Sequence, residues 1–560
     1  MRLFSLLLLI SSTLIAQDKS TAVDIGTMAD TLYQVIDNKD PGAYVAAVQN
    51  GKNTAHRSYG LASVEHGVPV SDSTIFDLAS IAKMFTGYAI ATLETRGQLR
   101  SEDDIHTYLP DFPDMGQEIT VAHLLHHTSG IKNWTSLLYE SGYHYSNRIK
   151  FDYLLRLIYA QRSLDFTPGE RYKYSNSGYV LLAEIIEKVS GKSYAEWMEE
   201  EVFAPLGMTK TFFHDTPGRV IPNVARGYSQ DNDGNFRRDF DNTTAVGSSS
   251  LFSCGSDMQK WMKFLLGPGP ERQAIVDLMF TTRPLNDGEH NTYAYGIDVE
   301  DYRGTKMIGH SGSWASYTSQ MFLLPEFNAG VFFVHNFRVR TSDIAYYFAD
   351  GFLPEEEEVE EEAEAEEEET ISYSSNNLPD ETVDTKLLDT YTGKFKLGVG
   401  WYLDIIREGD KMYAQANGEP AFLMYAANDT TFVVPNYGYR TITFLKNESG
   451  EVDAIVYNEK RRERQLEPFR FDAEALQSYA GTYYNHELGL VFDFTLKEDG
   501  LYATNVNFPS AKIIDTGQNQ FITDGRLRTI IFTHDEDGTI SGFYTANSRG
   551  EKIWSYKKAR

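Results

Sequence analysis

The chain has 560 residues, 80 of them acidic and 51 basic, for a formal net charge of -29. That length is too great for one ordinary domain and predicts roughly three or four. The single cysteine, Cys254, excludes an internal disulfide, and an acidic chain without a basic stripe excludes a nucleic-acid surface.

Arg2, the apolar run Leu3 to Ile15 and the small Ala16 stand in the order of a secretory signal, so residues 1–16 are read as one. The run is short for a membrane span, and no later stretch is long and apolar enough to be one. The expectation is a periplasmic or secreted protein without a transmembrane segment. With no Cys beside Ala16, a lipid anchor there is not expected. A buried N-terminal helix is the competing reading of the same run.

A first domain is placed at 17–352. Ala43 to Gln49 and Thr54 to Tyr59 flank Asn50-Gly51, a strong hairpin signal. Met321 to Leu324 and Gly330 to Val334 read as two further strands, with helical stretches between the terminal strand groups. This predicts an α+β domain: an antiparallel sheet made from both ends of the segment and flanked by helices.

Ser80-Ile81-Ala82-Lys83 opens an apolar stretch (Met84, Phe85, Tyr88, Ala89, Ile90, Leu93) with helical spacing. Positions i and i+3 share a helix face, so Ser80 and Lys83 can touch. A serine hydroxyl is a poor nucleophile until something takes its proton. A partly desolvated Lys83 with a lowered pKa could take it, and so could the phenol of Tyr174. The residues leave that choice open. A helix start at Ser80 would also aim free backbone N–H groups at the reaction centre.

Further on, His126 and His127 are adjacent and lack a carboxylate or Cys partner at ligand spacing, which favours a structural loop over a metal site. Pro168-Gly169-Glu170 leads to Tyr174-Ser175-Asn176 and a helical stretch, Val180 to Val189, stopped by Gly191. Leu251, Phe252 and Met258 around Cys254 favour a buried, inert thiol over a catalytic one. His310-Ser311-Gly312 is expected on an edge strand, where Gly312 permits close approach of a ligand and the backbone can pair with an extended substrate. Trp314 and Tyr317 either line a pocket or cover the sheet edge.

Residues 353–380 form an acidic linker, with 12 glutamates between Glu355 and Glu369. Self-repulsion should keep it disordered or loosely helical, and a solvated linker is preferred to a calcium-binding tract. Two copies of one unit follow, at 381–470 and 471–560. Tyr391-x-Gly393 recurs as Tyr479-x-Gly481, Arg440 to Phe444 as Arg528 to Phe532, and Gly450 as Gly538, each 88 residues on. Short alternating stretches rich in Tyr, Phe, Thr and Ile predict two small antiparallel β-barrels.

The patterns Ser80-x-x-Lys83, Tyr174-x-Asn176 and His310-x-Gly312, in that order, resemble those of the penicillin-recognising serine hydrolases. That family includes class C β-lactamases, DD-carboxypeptidases, D-aminopeptidases and related esterases. Leu124 to Gly130, Pro205-Leu206-Gly207-Met208 and the small-residue run before Cys254 match further landmarks, and the likeness covers roughly 23–350. It implies that Asn176 bonds Lys83 and a substrate amide, and that the backbone N–H groups of Ser80 and Ser313 form an oxyanion hole. Such a donor is worth about 3 kcal/mol of barrier.

Where this chain has His310, the family's β-lactamases usually carry Lys. Efficient β-lactam hydrolysis is therefore not expected, and the histidine allows a pH dependence near neutrality. The two barrels resemble the D-aminopeptidase layout, in which a C-terminal barrel limits substrate size.

The reading that results is an exported serine hydrolase acting through an acyl-enzyme on Ser80, without cofactor or metal. Its expected substrate is a small D-amino-acid-containing peptide. Carboxylesterase or weak β-lactamase activity by the same mechanism is the near alternative. A non-catalytic ligand-binding or sensor protein is the distant one, with the barrels contacting a cell-envelope component.

Overall fold

The computed structural model describes residues 24–216, 218–231, 234–353, 378–379, 383–398, 401–416, 421–435, 440–447, 449–457, 460–464, 473–517, 520–523, 529–535, 537–546 and 552–557. Residues 1–16, read above as a signal, and the glutamate run lie outside the described residues. The chain divides into two compact units that meet in sequence near residue 357.

The N-terminal unit is built on six antiparallel strands. They are β1 (Ala43–Gln49), β2 (Lys52–Tyr59), β3 (Asp298–Tyr302), β4 (Thr305–Trp314), β5 (Tyr317–Leu324) and β6 (Ala329–His335), in the spatial order β3-β4-β5-β6-β1-β2. Strands from both ends of the segment thus share one sheet. Asn50 and Gly51 both adopt positive φ between β1 and β2, the turn whose twist matches a two-residue hairpin.

Helices cover both faces. On one, α1 (Ile25–Tyr33) and α5 (Thr341–Asp350) bury Ile25, Leu32, Ile344 and Phe348 against Val45, Phe322, Val331 and Phe333. Each such side chain contributes about 1.5–3 kcal/mol on leaving water. On the other face, α4 (Gly255–Leu266) crosses β1 and β6. Its Gln259 donates to the Ala47 and Ala55 carbonyls at 3.1 and 2.9 Å, where a bulge interrupts the β1–β2 ladder. Behind lie α2 (Ala82–Thr95) and α3 (Asn176–Ser190). Every residue of α2 from Ala82 to Leu93 is buried, as expected of a helix that is apolar nearly all round.

The C-terminal unit contains two eight-stranded antiparallel sheets that share the repeat. The first runs from Gly393–Gly398 to Lys460–Glu463 and is nearly closed. A bridge joins Phe395 to Arg464, and the Arg462 and Arg464 guanidiniums donate to the Leu397 and Thr392 carbonyls across the seam. The second is a closed barrel in which Gly481–Asn485 pairs with Lys552–Lys557. A short helix precedes each sheet, and its last Tyr packs inside at equivalent positions: Tyr391 on Phe444 at 4.1 Å, Tyr479 on Phe532 at 4.7 Å.

Candidate active site

Ser80 sits on a tightly held turn. The short strand Phe76–Asp77 pairs with Leu251–Ser253, and the chain then bends through Ala79 at φ 49° into a single 3₁₀ turn, Ala79–Ile81, that leads into α2. A non-glycine residue at positive φ costs of order 1–3 kcal/mol and persists only where its surroundings fix it. Here the Leu78 N–H donates to the Leu251 carbonyl (2.8 Å) and the Ala79 N–H to Asp77 Oδ1 (2.8 Å). The Leu78 carbonyl accepts from Ser319 Oγ on β5 (2.9 Å).

Lys83 is fully buried one helical turn on. Its Nζ lies 3.2 Å from Ser80 Oγ and donates to Asn176 Oδ1 (2.8 Å) and the Ser248 carbonyl (2.7 Å). Asn176 opens α3, and Asn133 fixes its orientation by accepting from both its backbone N–H (3.2 Å) and its Nδ2 (3.3 Å). The segment around it is stitched to the 127–134 loop. Ser175 Oγ donates to the Ile131 carbonyl (2.9 Å), and Ser177 Oγ donates to the Lys132 carbonyl (2.7 Å) while accepting from the Trp134 N–H (2.8 Å).

Aromatic rings enclose the ammonium. Those of Tyr174 and Tyr179 centre 4.9 and 5.6 Å from Lys83 Nζ. His127 accepts from the Ser175 N–H at Nδ1 (3.2 Å), and its ring lies 4.3 Å from Tyr174 and 4.4 Å from Tyr293. His126 Nδ1 donates to the Tyr293 carbonyl (2.8 Å). The two histidines therefore form one bracket between Tyr174 and Tyr293. Among the described residues no His, Cys, Asp and Glu cluster could hold a metal ion.

His310 faces this bracket from β4. Its Nδ1 bonds the Ser311 carbonyl, which can only accept, so the proton sits on Nδ1 and the Tyr293 hydroxyl donates to Nε2 (2.9 Å). Burial, with Lys83 nearby, pushes the His310 pKa down to about 3. The ring is neutral across the physiological range, so the pH dependence near neutrality that a histidine here allows does not arise from His310.

One further expectation changes. The strand β4 is second in the sheet, but β3 pairs with it only from Thr305 to Gly309, so among the described residues no strand lines the outer side of 310–314 and His310-Ser311-Gly312 lies on a locally open edge. Gly312 admits a neighbour other than a ligand: a Cβ there would stand 2.2 Å from the Leu78 carbonyl oxygen, so the missing side chain lets β4 close on the Ser80 turn.

Ser313 is exposed beside Trp314, whose ring meets Trp134 (5.7 Å) and Tyr145 (5.6 Å) in an aromatic wall. Tyr317 is drawn inward and donates to the Ala225 carbonyl (2.6 Å). Cys254 is buried, and burial pushes its thiol pKa up.

Asn133, Ser248 and Tyr293 were missed in the sequence. Ser248 lies in the small-residue run that the sequence did mark. Asn133 and Tyr293 sit in loops without periodicity, and only their contacts reveal them.

The sequence model of the Beta-lactamase family matches residues 29–349. The chain is 26% identical over 451 residues to a penicillin-binding protein of Bacillus subtilis (strain 168), covering 78% of this chain and 97% of that one. It is 30% identical over 301 residues to Protein flp of Staphylococcus aureus (strain N315), covering 53% of this chain and 59% of that protein. Among solved structures, the octameric penicillin-binding protein homologue from Pyrococcus abyssi aligns with a TM-score of 0.55 at 22% identity, over 87% of this chain and 99% of that one. That likeness concerns the fold.

Proposed function

We propose, for a chain that belongs to the beta-lactamase family of serine hydrolases, that it is an exported amidase of small D-amino-acid-containing peptides, acting through an acyl-enzyme on Ser80. The observation that carries the mechanism is the setting of Lys83. Two acceptors, Asn176 Oδ1 and the Ser248 carbonyl, take two of its N–H bonds. In the amine form its lone pair is then what remains for the Ser80 proton, 3.2 Å away.

Ser80 Oγ attacks the substrate carbonyl as its proton passes to Lys83. The Tyr174 phenol, whose ring centres 4.9 Å from the same nitrogen, relays a proton to the leaving amine, and water then releases the acyl group by the reverse route. The backbone N–H groups of Ser80 and Ser313 stabilise the oxyanion, and Asn176 holds Lys83 and the substrate amide. His310 and Gly312 shape the strand along which the substrate lies. The aromatic wall of Trp134, Tyr145 and Trp314 suits an apolar acyl side chain.

Substrate choice follows from charge. A neutral His310, held by Tyr293, offers no permanent cation for a carboxylate, so β-lactams and free peptide C-termini bind weakly there. Labelling with a fluorophosphonate, followed by turnover of D-aminoacyl amides, short esters and β-lactams, tests this reading. Covalent labelling at Ser80 with amide turnover is expected. Rapid penicillin or cephalosporin hydrolysis would overturn the substrate choice, and a label on any other residue would overturn the mechanism.

A further inference from the structure

The hairpin that joins β4 to β5 carries backbone strain. Trp314 pairs with Tyr317, which leaves Ala315 and Ser316 as a two-residue loop. Both stand at positive φ, 44° and 70°. Loops of this kind are ordinarily built from Asn-Gly, Asp-Gly or Gly-Gly, because a Cβ disfavours the left-handed region. Alanine and serine lack that freedom, so their surroundings must hold the turn.

The segment 225–239 does so. Ala315 is 2% exposed and Ser316 is fully buried. The Ser316 hydroxyl donates to Asp239 Oδ2, and Asp239 Oδ1 accepts from Ser229 Oγ (3.3 Å). The Asp239 N–H donates to the Gly227 carbonyl (2.9 Å). At Gly227 a Cβ would stand 2.5 Å from the Ala315 carbonyl oxygen, so the missing side chain lets the segment close on the turn. The segment has its own anchorage. Within it Tyr228–Gln230 pairs with Phe236–Arg238. The Tyr228 N–H donates to the Asn336 carbonyl just past β6 (2.8 Å), and the Arg226 N–H to the Ala62 carbonyl (2.8 Å).

We propose that Asp239 is a positioning residue for the oxyanion hole: by accepting from Ser316 it holds the β4–β5 turn in a conformation its residues do not favour, and through the turn it sets the place of the Ser313 N–H and the Trp314 ring. The inference rests on the proposed function, which assigns that N–H to the oxyanion.

The turn matters because the sheet gives little other support there. β3 stops pairing at Gly309, so the 310–314 end of β4 has a strand on one side only, β5. Ser313 stands two residues before the loop, and Trp314 opens it. A loop relaxed into the common negative-φ turns would splay the two strands, since only the positive-φ turn matches their twist. Splaying would carry the Ser313 N–H and the Trp314 ring out of place. Asp239 reaches the reaction through this backbone.

The test is the rate of fluorophosphonate labelling of the full chain and its D239A, D239N, S316A and S316G variants, with an unfolding midpoint for each. Asp239→Ala and Ser316→Ala remove the same bond. Each should slow labelling at least about tenfold, toward the hundredfold that a displacement near 1 Å at a reaction centre brings. Asp239→Asn keeps an acceptor for the Ser316 hydroxyl and should label within about threefold of the parent. Ser316→Gly removes the hydroxyl as Ser316→Ala does, but glycine takes φ 70° unaided, so it should label at least about tenfold faster than S316A. With glycine there the clamp has nothing to hold, and adding Asp239→Ala should change the rate by less than about twofold. On a short ester the slow variants should lose kcat with KM unchanged, the mark of an interaction made only in the transition state.

The proposal is overturned if S316A and S316G label alike, or if D239A labels at the parent rate. It is equally overturned if midpoints fall while labelling does not, since the clamp would then be a stability element only. Should D239A not fold, the S316A and S316G pair decides alone. A label on the Ser80→Ala chain would instead overturn the reading of Ser80.

Discussion

The two units fill their interiors with opposite materials. The N-terminal unit buries Asp77, Lys83, His126, His127 and His310, each at most 4% exposed. The closed barrel fills a comparable interior with Tyr479, Tyr483, Phe494, Phe532 and Phe543, ring against ring. Its histidines, His486 and His534, are exposed. Burying an ionisable group is unfavourable unless its polar atoms find partners, whereas burying a ring stabilises, with only a tyrosine hydroxyl needing a partner. A unit that keeps so many of the first kind is using them. A unit of the second kind is built to stand.

If that contrast holds, substitutions in the first unit should alter chemistry more than stability, and those in the second the reverse. Ser80→Ala should lower labelling and turnover by at least about a thousandfold with an unchanged unfolding midpoint, because a nucleophile is lost and almost no packing is. Labelling kinetics beside a thermal melt check both halves. In the barrel, Phe532→Ala should remove about 3–5 kcal/mol from that domain's stability by leaving a cavity, with Ser80 labelling unaltered. Slower labelling in that variant would break the contrast.

Acid should divide the units too. Burial pushes His126 down to about 4 and His310 and His335 down to about 3, below the imidazole range of about 6.5 in an unfolded chain. The unfolded chain therefore binds these protons more tightly. Their contribution is full above about pH 6.5 and is lost as pH falls toward 3. Calorimetry between pH 7 and 4 should show the N-terminal transition moving down further than the barrel transition.

A smaller effect is expected at Tyr293→Phe, which strips the donor from His310 Nε2. Stability should fall by about 1–3 kcal/mol, and the pH at which His310 protonates should rise, since its neutral form loses a hydrogen bond. Imidazole nitrogen shifts would report it, and an unmoved titration would show that Tyr293 does not hold the ring. Least of all should change on ending the chain near residue 353. Ser80 labelling should persist, with acceptance of longer substrates broadened if the barrels limit substrate size. Identical length profiles across graded esters would leave the barrels as a tethering or binding module.

The regular parts were legible. Alternation and the Asn50-Gly51 turn placed β1 and β2, helical spacing placed α2, and the 88-residue repeat announced both barrels. Ser80 and Lys83 could be paired because one helical turn joins them. Sequence reasoning failed where a partner arrives from a distant loop. Asn133 reaches Asn176 across 43 residues, and Tyr293 reaches His310 from a loop without pattern. Gly312 was identified as a point of close approach, but what approaches is the Leu78 carbonyl, which no local pattern could disclose. The neutrality of His310 was likewise hidden, since burial is a property of the folded whole.

The seam of the first barrel has a consequence for how that domain opens. A cylinder joined by a backbone ladder has no free rim, as between Tyr483 and Lys557 in the second barrel. The first is drawn together by the Phe395–Arg464 bridge and the side chains of Arg462 and Arg464, a shorter fastening that keeps a latent edge. Releasing that bridge and the two guanidiniums uncovers strand backbone there. Amide hydrogens of Gly393–Gly398 and Lys460–Glu463 should therefore exchange with solvent sooner than those of Gly481–Asn485 and Lys552–Lys557. Between two copies of one ancestral unit, the older question of which is sturdier becomes a question of how each is fastened.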